Sequence, residues 1–492
     1  MSETTAQDTS TGRRILVIGG GPAAHRFVQS MLKRGLGQDT ITVLSEEQWT
    51  PYDRVALEKL FLDVERDLTL GDLQDLYDAV VFSTGAVKDA PLEVPGKDLE
   101  GVHGAADFVA WYDGHPDYPR EWPLEAEQVA VIGNGNVALD VARVLAKHAD
   151  DMLTTEIPGN VYQGLKASPV TDVHVFGRRG PAQMKFTPLE LRELAKSRDV
   201  DIVLHEEDLQ YDDASRAAIE SNNQIKALIK TIDKWKAEQA ERTEHASRRL
   251  HLHFLQSPAE IVGDADGKVA AIRMERNELD GAGGIRPTGE ILEYPVQAVY
   301  RAIGYFGSEL PEIGFDRTRG VITNVEGRVV DETETPVPGL YATGWIKRGP
   351  VGLIGSTKSD ALETITHLLE DRAFTAAHPE PEAVPALLDR GGVEFTTWEG
   401  WHALDAHEKA LGAAAQDAAG NPRQRVKVVE REQMVDISRS GTATTQRSAS
   451  VAQAFSWDGF IREERRTKET TSRWTRGESA GRGTAASLPG SV

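Results

Sequence analysis

The stretch VAVIGNGNVALDVARVL, residues 129–145, constrains the fold more than any other part of the chain. Its first four residues, 129–132, are apolar as in a buried strand, and the turn Gly133-Asn134-Gly135-Asn136 follows at once. Val137, Val141, Val144 and Leu145 then fall at i, i+4, i+7 and i+8, the spacing of one apolar helix face. Strand, glycine turn and helix in that order suit a pyrophosphate. Its charge is met by main-chain N–H groups at the helix start, and the turn beneath it must lack side chains. Gly133 and Gly135 supply that space, and Ala138 takes the third small position of G-x-G-x-x-G/A. Taken alone, the stretch fits a purely structural turn equally well.

A second unit of the same kind lies near the N-terminus. Residues 15–18 form an apolar strand followed by Gly19-Gly20-Gly21-Pro22-Ala23-Ala24. Ala24, Phe27, Val28, Met31 and Leu32 share a helix face, residues 41–44 make the next strand, and Glu46 and Glu47 stand where a ribose hydroxyl is bound. The other reading of Glu46 is a solvated residue at a strand end. Two such units in one chain fit an enzyme with both a flavin and a nicotinamide, which needs two pyrophosphate sites. The first lacks a basic residue past its second strand, which suits FAD. The second is followed by a strand over 173–176 that ends in Gly177-Arg178-Arg179-Gly180. Charge-assisted contacts from such arginines to a 2′-phosphate, about 1.5–3 kcal/mol each, favour NADP over NAD. The alternative is a surface arginine pair.

Further along, residues 77–84 (YDAVVFST) read as a buried strand closing on Gly85-Ala86, placed to lie alongside a cofactor. An insert spans 150–171, FTPLELRELA reads as a helix, and 224–249 as one long charged helix. Residues 252–261 and 269–278 read as a hairpin, and 296–303 as a strand. In PVPGLYATGWIKRGPVGLIGS a strand over 340–342 meets Gly344, Gly349, Gly352 and Gly355 before a helix from about residue 356. Those glycines let main chain approach a flat ring, and the helix start favours negative charge on a reduced flavin. The fold class expected is α/β, with two Rossmann-like dinucleotide-binding domains and a discontinuous first one.

Length and composition narrow the function. At 492 residues, with 40% apolar and 27% charged, the chain has the make-up of an ordinary globular protein of about three domains. It contains no cysteine, which excludes thiolate-held iron–sulfur clusters and a redox dithiol. The net charge of −22 argues against non-specific nucleic-acid binding. No apolar run approaches the ~18 residues of a membrane span. The first twelve residues read as a frayed tail, and a cytoplasmic location is expected. No metal ligands are singled out.

From about residue 68 to 437 the chain resembles the adrenodoxin reductase family of ferredoxin–NADP reductases, through GNGNVALDVARVL, FGRRGP, FTPLELREL and GWIKRGPVGLIG. The resemblance implies a flavoenzyme that takes a hydride from NADPH onto FAD and passes electrons singly to a ferredoxin or similar small carrier. By position, Gly133, Asn134, Gly135 and Asn136 would bind the nicotinamide nucleotide's pyrophosphate, Arg178 and Arg179 its 2′-phosphate, and Glu190 the nucleotide. Trp345, Gly352, Leu353 and Ile354 would lie along the flavin, Gly352 also near the nicotinamide. Glu193 matches an acidic residue near the ring. On the FAD side the first fingerprint contributes Gly19, Gly21, Ala23 and Glu46. Lys347, Arg348, Arg178 and Arg179 are the first cations to consider for docking the carrier.

Residues 15–60, with TPYDRVALEKL, instead resemble the FAD-binding start of nitrite reductase large subunits and rubredoxin-reductase-type flavoproteins, in which the arginine matching Arg54 touches the flavin. The family's glycine-leucine-valine-arginine and proline-aspartate-histidine-proline stretches are missing here. Only 30 residues separate Glu46 from Tyr77, and a parallel crossover alone takes a dozen or more. A shortened FAD domain is therefore expected. The domains read as a tail over 1–12, FAD-binding parts over 13–104 and 325–437, an NADP-binding domain over 105–324, and a disordered tail over 438–492. Two other readings are the electron-input flavin module of a glutamate synthase or nitrite reductase type enzyme, and an inactive NADP-binding protein deficient in FAD.

Overall fold

The computed structural model of the chain describes residues 13–19, 21–35, 39–44, 69–350, 357–371, 376–378, 380, 383–392, 396 and 398–440. Expectations placed on Glu46, Glu47, Arg54, Gly352, Leu353, Ile354, Gly355 and the two tails lie outside these residues, except that a helix, Arg431–Ser440, runs to 440 where a tail is expected from 438.

Two six-stranded sheets organise the chain. In the first, Thr40–Leu44, Arg14–Ile18, Ala79–Phe82 and Pro336–Ala342 lie parallel in that order, and Arg328–Val330 and Asn324–Val325 extend it antiparallel. The register sets Ile18 opposite Phe82 and Phe82 opposite Ala342, so the strands stop on one line. Alternation explains the packing: Leu16, Ile18, Val80, Phe82, Leu340 and Ala342 share one core with Leu73, Leu76 and Ile346. Helices Pro22–Arg34 and Thr357–Glu370 pack against each other. Residues 45–68, on which the question of a shortened domain turns, are outside the described set.

The second sheet is wholly parallel, in the order Val102–Gly104, Ala298–Arg301, Gln128–Ile132, Asp172–Phe176, Arg248–His253, Val200–Leu204. One face, with Val129, Val131, Val173, Val175, Leu250 and Leu252, meets Leu139, Ala142 and the other helix residues. The opposite face, with Ala130, Ile132, Phe176 and Val299, meets Ile261, Ile272 and Met274 of a three-stranded antiparallel sheet.

Three elements differ from the sequence reading. The long helix is Asn223–Glu241 and stops eight residues early, because RRLHLH alternates with a period of two and joins the parallel sheet as Arg248–His253. The hairpin therefore begins at Gln256, after Leu255 takes a left-handed φ of 56°. A third strand, Ile285–Tyr294, completes the small sheet; it is almost wholly exposed, so no apolar alternation announces it. The insert over 150–171 holds two short helices, Ala149–Met152 and Gly159–Ala167. No described helix is long and apolar enough to cross a membrane.

The chain passes between the sheets at Lys88–Asp89 and returns at Tyr305–Phe306, and these two segments pair antiparallel. Asp89 accepts hydrogen bonds from Ala106 N at 3.0 and 3.1 Å, capping the helix Ala105–Asp113. Burial raises its carboxyl to about 6. Because the folded state holds this proton more tightly than the unfolded chain does, Asp89 contributes stability at low pH that is lost as pH rises from about 4 to 6. Thermal midpoints of wild type and Asp89→Asn across pH 4–7 test this. The wild type should lose ground relative to the variant over that interval; parallel curves would contradict it.

Candidate cofactor sites

The first site lies where the first sheet's parallel strands end. Gly19 has φ +110°, and a Cβ there would stand 2.3 Å from the Ser83 carbonyl oxygen, so no other residue fits. Gly21 then N-caps the helix Pro22–Arg34 with no side-chain hydrogen bond and no acid in the first turn. Four other helices differ in this: Thr69, Thr187, Asp212 and Asn222 each cap theirs with a side chain. The first-turn N–H groups of Pro22–Arg34 are thus left for an anion. Ser83 Oγ and Thr84 Oγ1, just past the neighbouring strand, are shielded from solvent without a hydrogen-bond partner. Those orphan hydroxyls and the uncapped helix fit a dinucleotide laid across the strand ends.

Gly344 closes this site from the late strand. It has φ +79°, and a Cβ on it would come within 2.6 Å of the Ala23 Cβ, which brings the two glycine-rich stretches together. Thr343 N donates to Phe82 O at 2.9 Å. Asp360, buried in the helix Thr357–Glu370, accepts from Gly344 N and, at 3.1 Å, from Thr343 Oγ1. Half-buried Trp345 begins the short helix Trp345–Arg348. Lys347, considered above for docking a carrier, is instead 6% exposed and paired with Asp360 at 3.3 Å and Glu363 at 2.5 Å. It is a structural cation that fixes this turn. Asp360 is missed by sequence reasoning; the only signal is an acid in the first turn of a helix that follows a glycine loop.

The second site repeats the device. Gly133 has φ +153°, and a Cβ there would lie 2.2 Å from the Ala302 carbonyl oxygen. Gly135 caps the helix Asn136–Ala146 without a side chain and with no acid in the first turn, and a Cβ on it would enter open space. Asn134 O accepts from Lys185 N at 3.0 Å, and Asn136 Oδ1 accepts from Thr187 N at 2.9 Å. These bonds tie the glycine turn to the helix Pro188–Leu194. Arg178 and Arg179 are exposed just past the strand Asp172–Phe176. Their main chain is fixed by Asn277 Nδ2 on Arg178 O at 3.0 Å and Leu255 N on Arg179 O at 3.1 Å. Neither guanidinium forms an ion pair among the described residues.

The two glutamates of LELREL face different surroundings. Glu190 lies 3.6 Å from Arg143, which also pairs with Asp140. Glu193 pairs with Lys196 at 2.5 Å, and that cation holds its carboxyl below the usual range. Its further charged neighbours are Arg143 and Lys147.

A family described as pyridine nucleotide-disulphide oxidoreductase matches residues 62–354. The chain belongs to this family. The match comes without a redox dithiol, since this chain has no cysteine. It is 38% identical to the mitochondrial NADPH:adrenodoxin oxidoreductase of Bos taurus over 74% of this chain and 75% of that one. It is 39% identical to the NADPH-ferredoxin reductase FprA of Mycobacterium tuberculosis, over 72% and 78%. The structure of that FprA in complex with NADPH superposes with a TM-score of 0.74 at 32% identity, covering 87% of this chain and all of the other. The chain thus shares its fold with FprA, and the resemblance read from GNGNVALDVARVL and FGRRGP holds.

The two glycines of the second turn separate folding from binding. Gly133→Ala should cost roughly 1–3 kcal/mol through its strained φ and lower the thermal midpoint. Gly135→Ala should cost less than about 1 kcal/mol yet weaken NADPH binding at least tenfold, because its methyl enters the space left for phosphate. Calorimetric titration and thermal melts of both variants check this; unchanged NADPH affinity in Gly135→Ala would place the pyrophosphate elsewhere.

Proposed function

We propose that this chain is an NADPH-dependent flavoprotein reductase that passes electrons from NADPH through FAD to a ferredoxin or a similar small one-electron carrier. The observation that carries the reading is the pair of uncapped helix starts behind glycine turns, one beside an exposed arginine pair, in a chain like NADPH-ferredoxin reductase FprA. FAD, when bound, takes two electrons as a hydride and returns them one at a time. The chain's own residues bind and position. Gly19, Gly21 and Ala23 receive the FAD pyrophosphate, with Glu46 on its ribose and Arg54, Trp345, Gly352, Leu353 and Ile354 along the ring. Gly133, Asn134, Gly135 and Asn136 receive the NADP pyrophosphate, Arg178 and Arg179 the 2′-phosphate, and Glu190 the nucleotide.

No side chain is needed as a nucleophile: catalysis is placement of the nicotinamide over the flavin, and Glu193 acts as a charge near that contact. The FAD-binding parts are read as residues 13–104 and 325–437 and the NADP-binding part as 105–324; pairing of Val102–Gly104 with Ala298–Arg301 favours an earlier first boundary, and Ile313, Ile322 and Asn324 in the first sheet and its core favour an earlier second one. A cytoplasmic site of action belongs to the same proposal, and cell fractionation tests it.

The experiment is steady-state reduction of a [2Fe–2S] ferredoxin coupled to cytochrome c, with NADPH and with NADH. Arg178→Ala should raise KM for NADPH by ten- to a hundredfold, the loss of about 1.5–3 kcal/mol, and leave NADH kinetics nearly unchanged. Equal losses with both nucleotides would contradict the 2′-phosphate role. Cytochrome reduction that does not depend on ferredoxin would contradict the carrier.

A further inference from the structure

Four histidines form a layer inside the second sheet that the reductase chemistry does not use. His174 pairs in register with His251 on the next strand, and His253 shares their face two residues on. His205 follows the edge strand, whose Leu204 is opposite Leu252. The rings stack across the strands, His174 on His251 and His205 on His253, each pair with centroids 4.3 Å apart. Their nitrogens meet edge to edge: His174 Nδ1 is 3.0 Å from His253 Nε2, and His251 Nδ1 is 3.4 Å from His205 Nε2. One nitrogen from each of His174, His251 and His253 lies within 4.8 Å of the others.

The opposite nitrogens face carboxylates. His251 Nε2 is 2.9 Å from Asp172 Oδ1, and His253 Nδ1 is 3.6 Å from Asp208 Oδ2. A histidine that offers one nitrogen inward and holds a carboxylate on the other is arranged as metal-binding histidines are. His253 Nδ1 is buried and faces Asp208 just beyond hydrogen-bond distance, while its Nε2 is the nitrogen turned into the layer. Ligand nitrogens around zinc, at 2.0–2.1 Å from it, are about 3.3 Å apart; His174–His253 and His251–His205 stand near that spacing, and the stacked rings have to turn out of their parallel planes for their lone pairs to meet on one ion. His251 and His205 are only partly buried and give an ion a way in.

We propose that His174, His251 and His253 bind a zinc-class divalent cation, with His205 as fourth donor and Asp172 and Asp208 orienting the ring nitrogens that face away from it. Imidazole donors select such borderline ions over calcium or magnesium. The site lies under the arginine loop: Gly177 N donates to His253 O at 2.9 Å, and Leu255 N donates to Arg179 O. A bound ion braces the strand ends that carry Arg178 and Arg179.

The test uses the full chain, stripped with a chelator and titrated with Zn2+ against a chromophoric competitor. One ion per chain with a sub-micromolar Kd and a raised thermal midpoint is expected. His174→Phe and His251→Gln should each weaken binding at least tenfold, whereas His148→Gln, outside the layer, should not. Zinc-edge X-ray absorption of the unmodified chain does not depend on the variants folding and should show three or four imidazole nitrogens. Absence of stoichiometric binding, affinity undiminished in both layer variants, or a shell dominated by oxygen would overturn the proposal.

Discussion

Two places where main chain is pressed against main chain hold the design together. Just beyond Arg14–Ile18 in one sheet and Gln128–Ile132 in the other, a glycine sits so close to the carbonyl following a neighbouring strand that a Cβ would stand 2.2–2.3 Å from it: Gly19 against Ser83, Gly133 against Ala302. Both have positive φ, so the chain turns there in a way that L side chains resist. That turn aims the next helix's N-terminus across the strand ends. Because neither helix spends a side chain on its own cap, its first N–H groups and its dipole remain for a phosphate. Sheet geometry and anion affinity thus come from the same few atoms.

The two sites then diverge through what surrounds each turn. The first is closed by Gly344 and by a buried ion cluster in which Asp360 holds the turn's main chain and Lys347 together. Breaking such a cluster leaves an unpaired buried charge, which costs about 3–5 kcal/mol, so this part is built to hold still. The second is closed by Asn136 and Thr187 on one side and an exposed arginine pair on the other. The exposed arginines stand out against a chain of net charge −22. Between the sheets the chain passes at the paired segments Lys88–Asp89 and Tyr305–Phe306, where Asp89 anchors a helix.

Much of this was legible in the sequence, and what was not has physical reasons. The strands Arg14–Ile18, Ala79–Phe82, Gln128–Ile132 and Asp172–Phe176 are buried, short and apolar, so composition alone marks them. The glycine turns follow from steric need. By contrast Arg248–His253 alternates arginine, leucine and histidine, and its polar face reads as a solvated helix until a sheet covers it. For the same reason the histidine layer was invisible: its members sit on two strands and just past a third, and only register brings them together. Lys347 read as a surface cation because nothing local announces Asp360, thirteen residues later, as its partner.

The central claim is that the first sheet's strand ends hold FAD and the second's hold NADPH close enough for hydride transfer. The most direct measurement is the visible spectrum of the purified chain, followed anaerobically with NADPH and then NADH. An oxidised flavin spectrum bleached by NADPH at far lower concentration than by NADH is expected. A colourless chain that takes up no added FAD, or a flavin reduced equally by both nucleotides, would contradict the account.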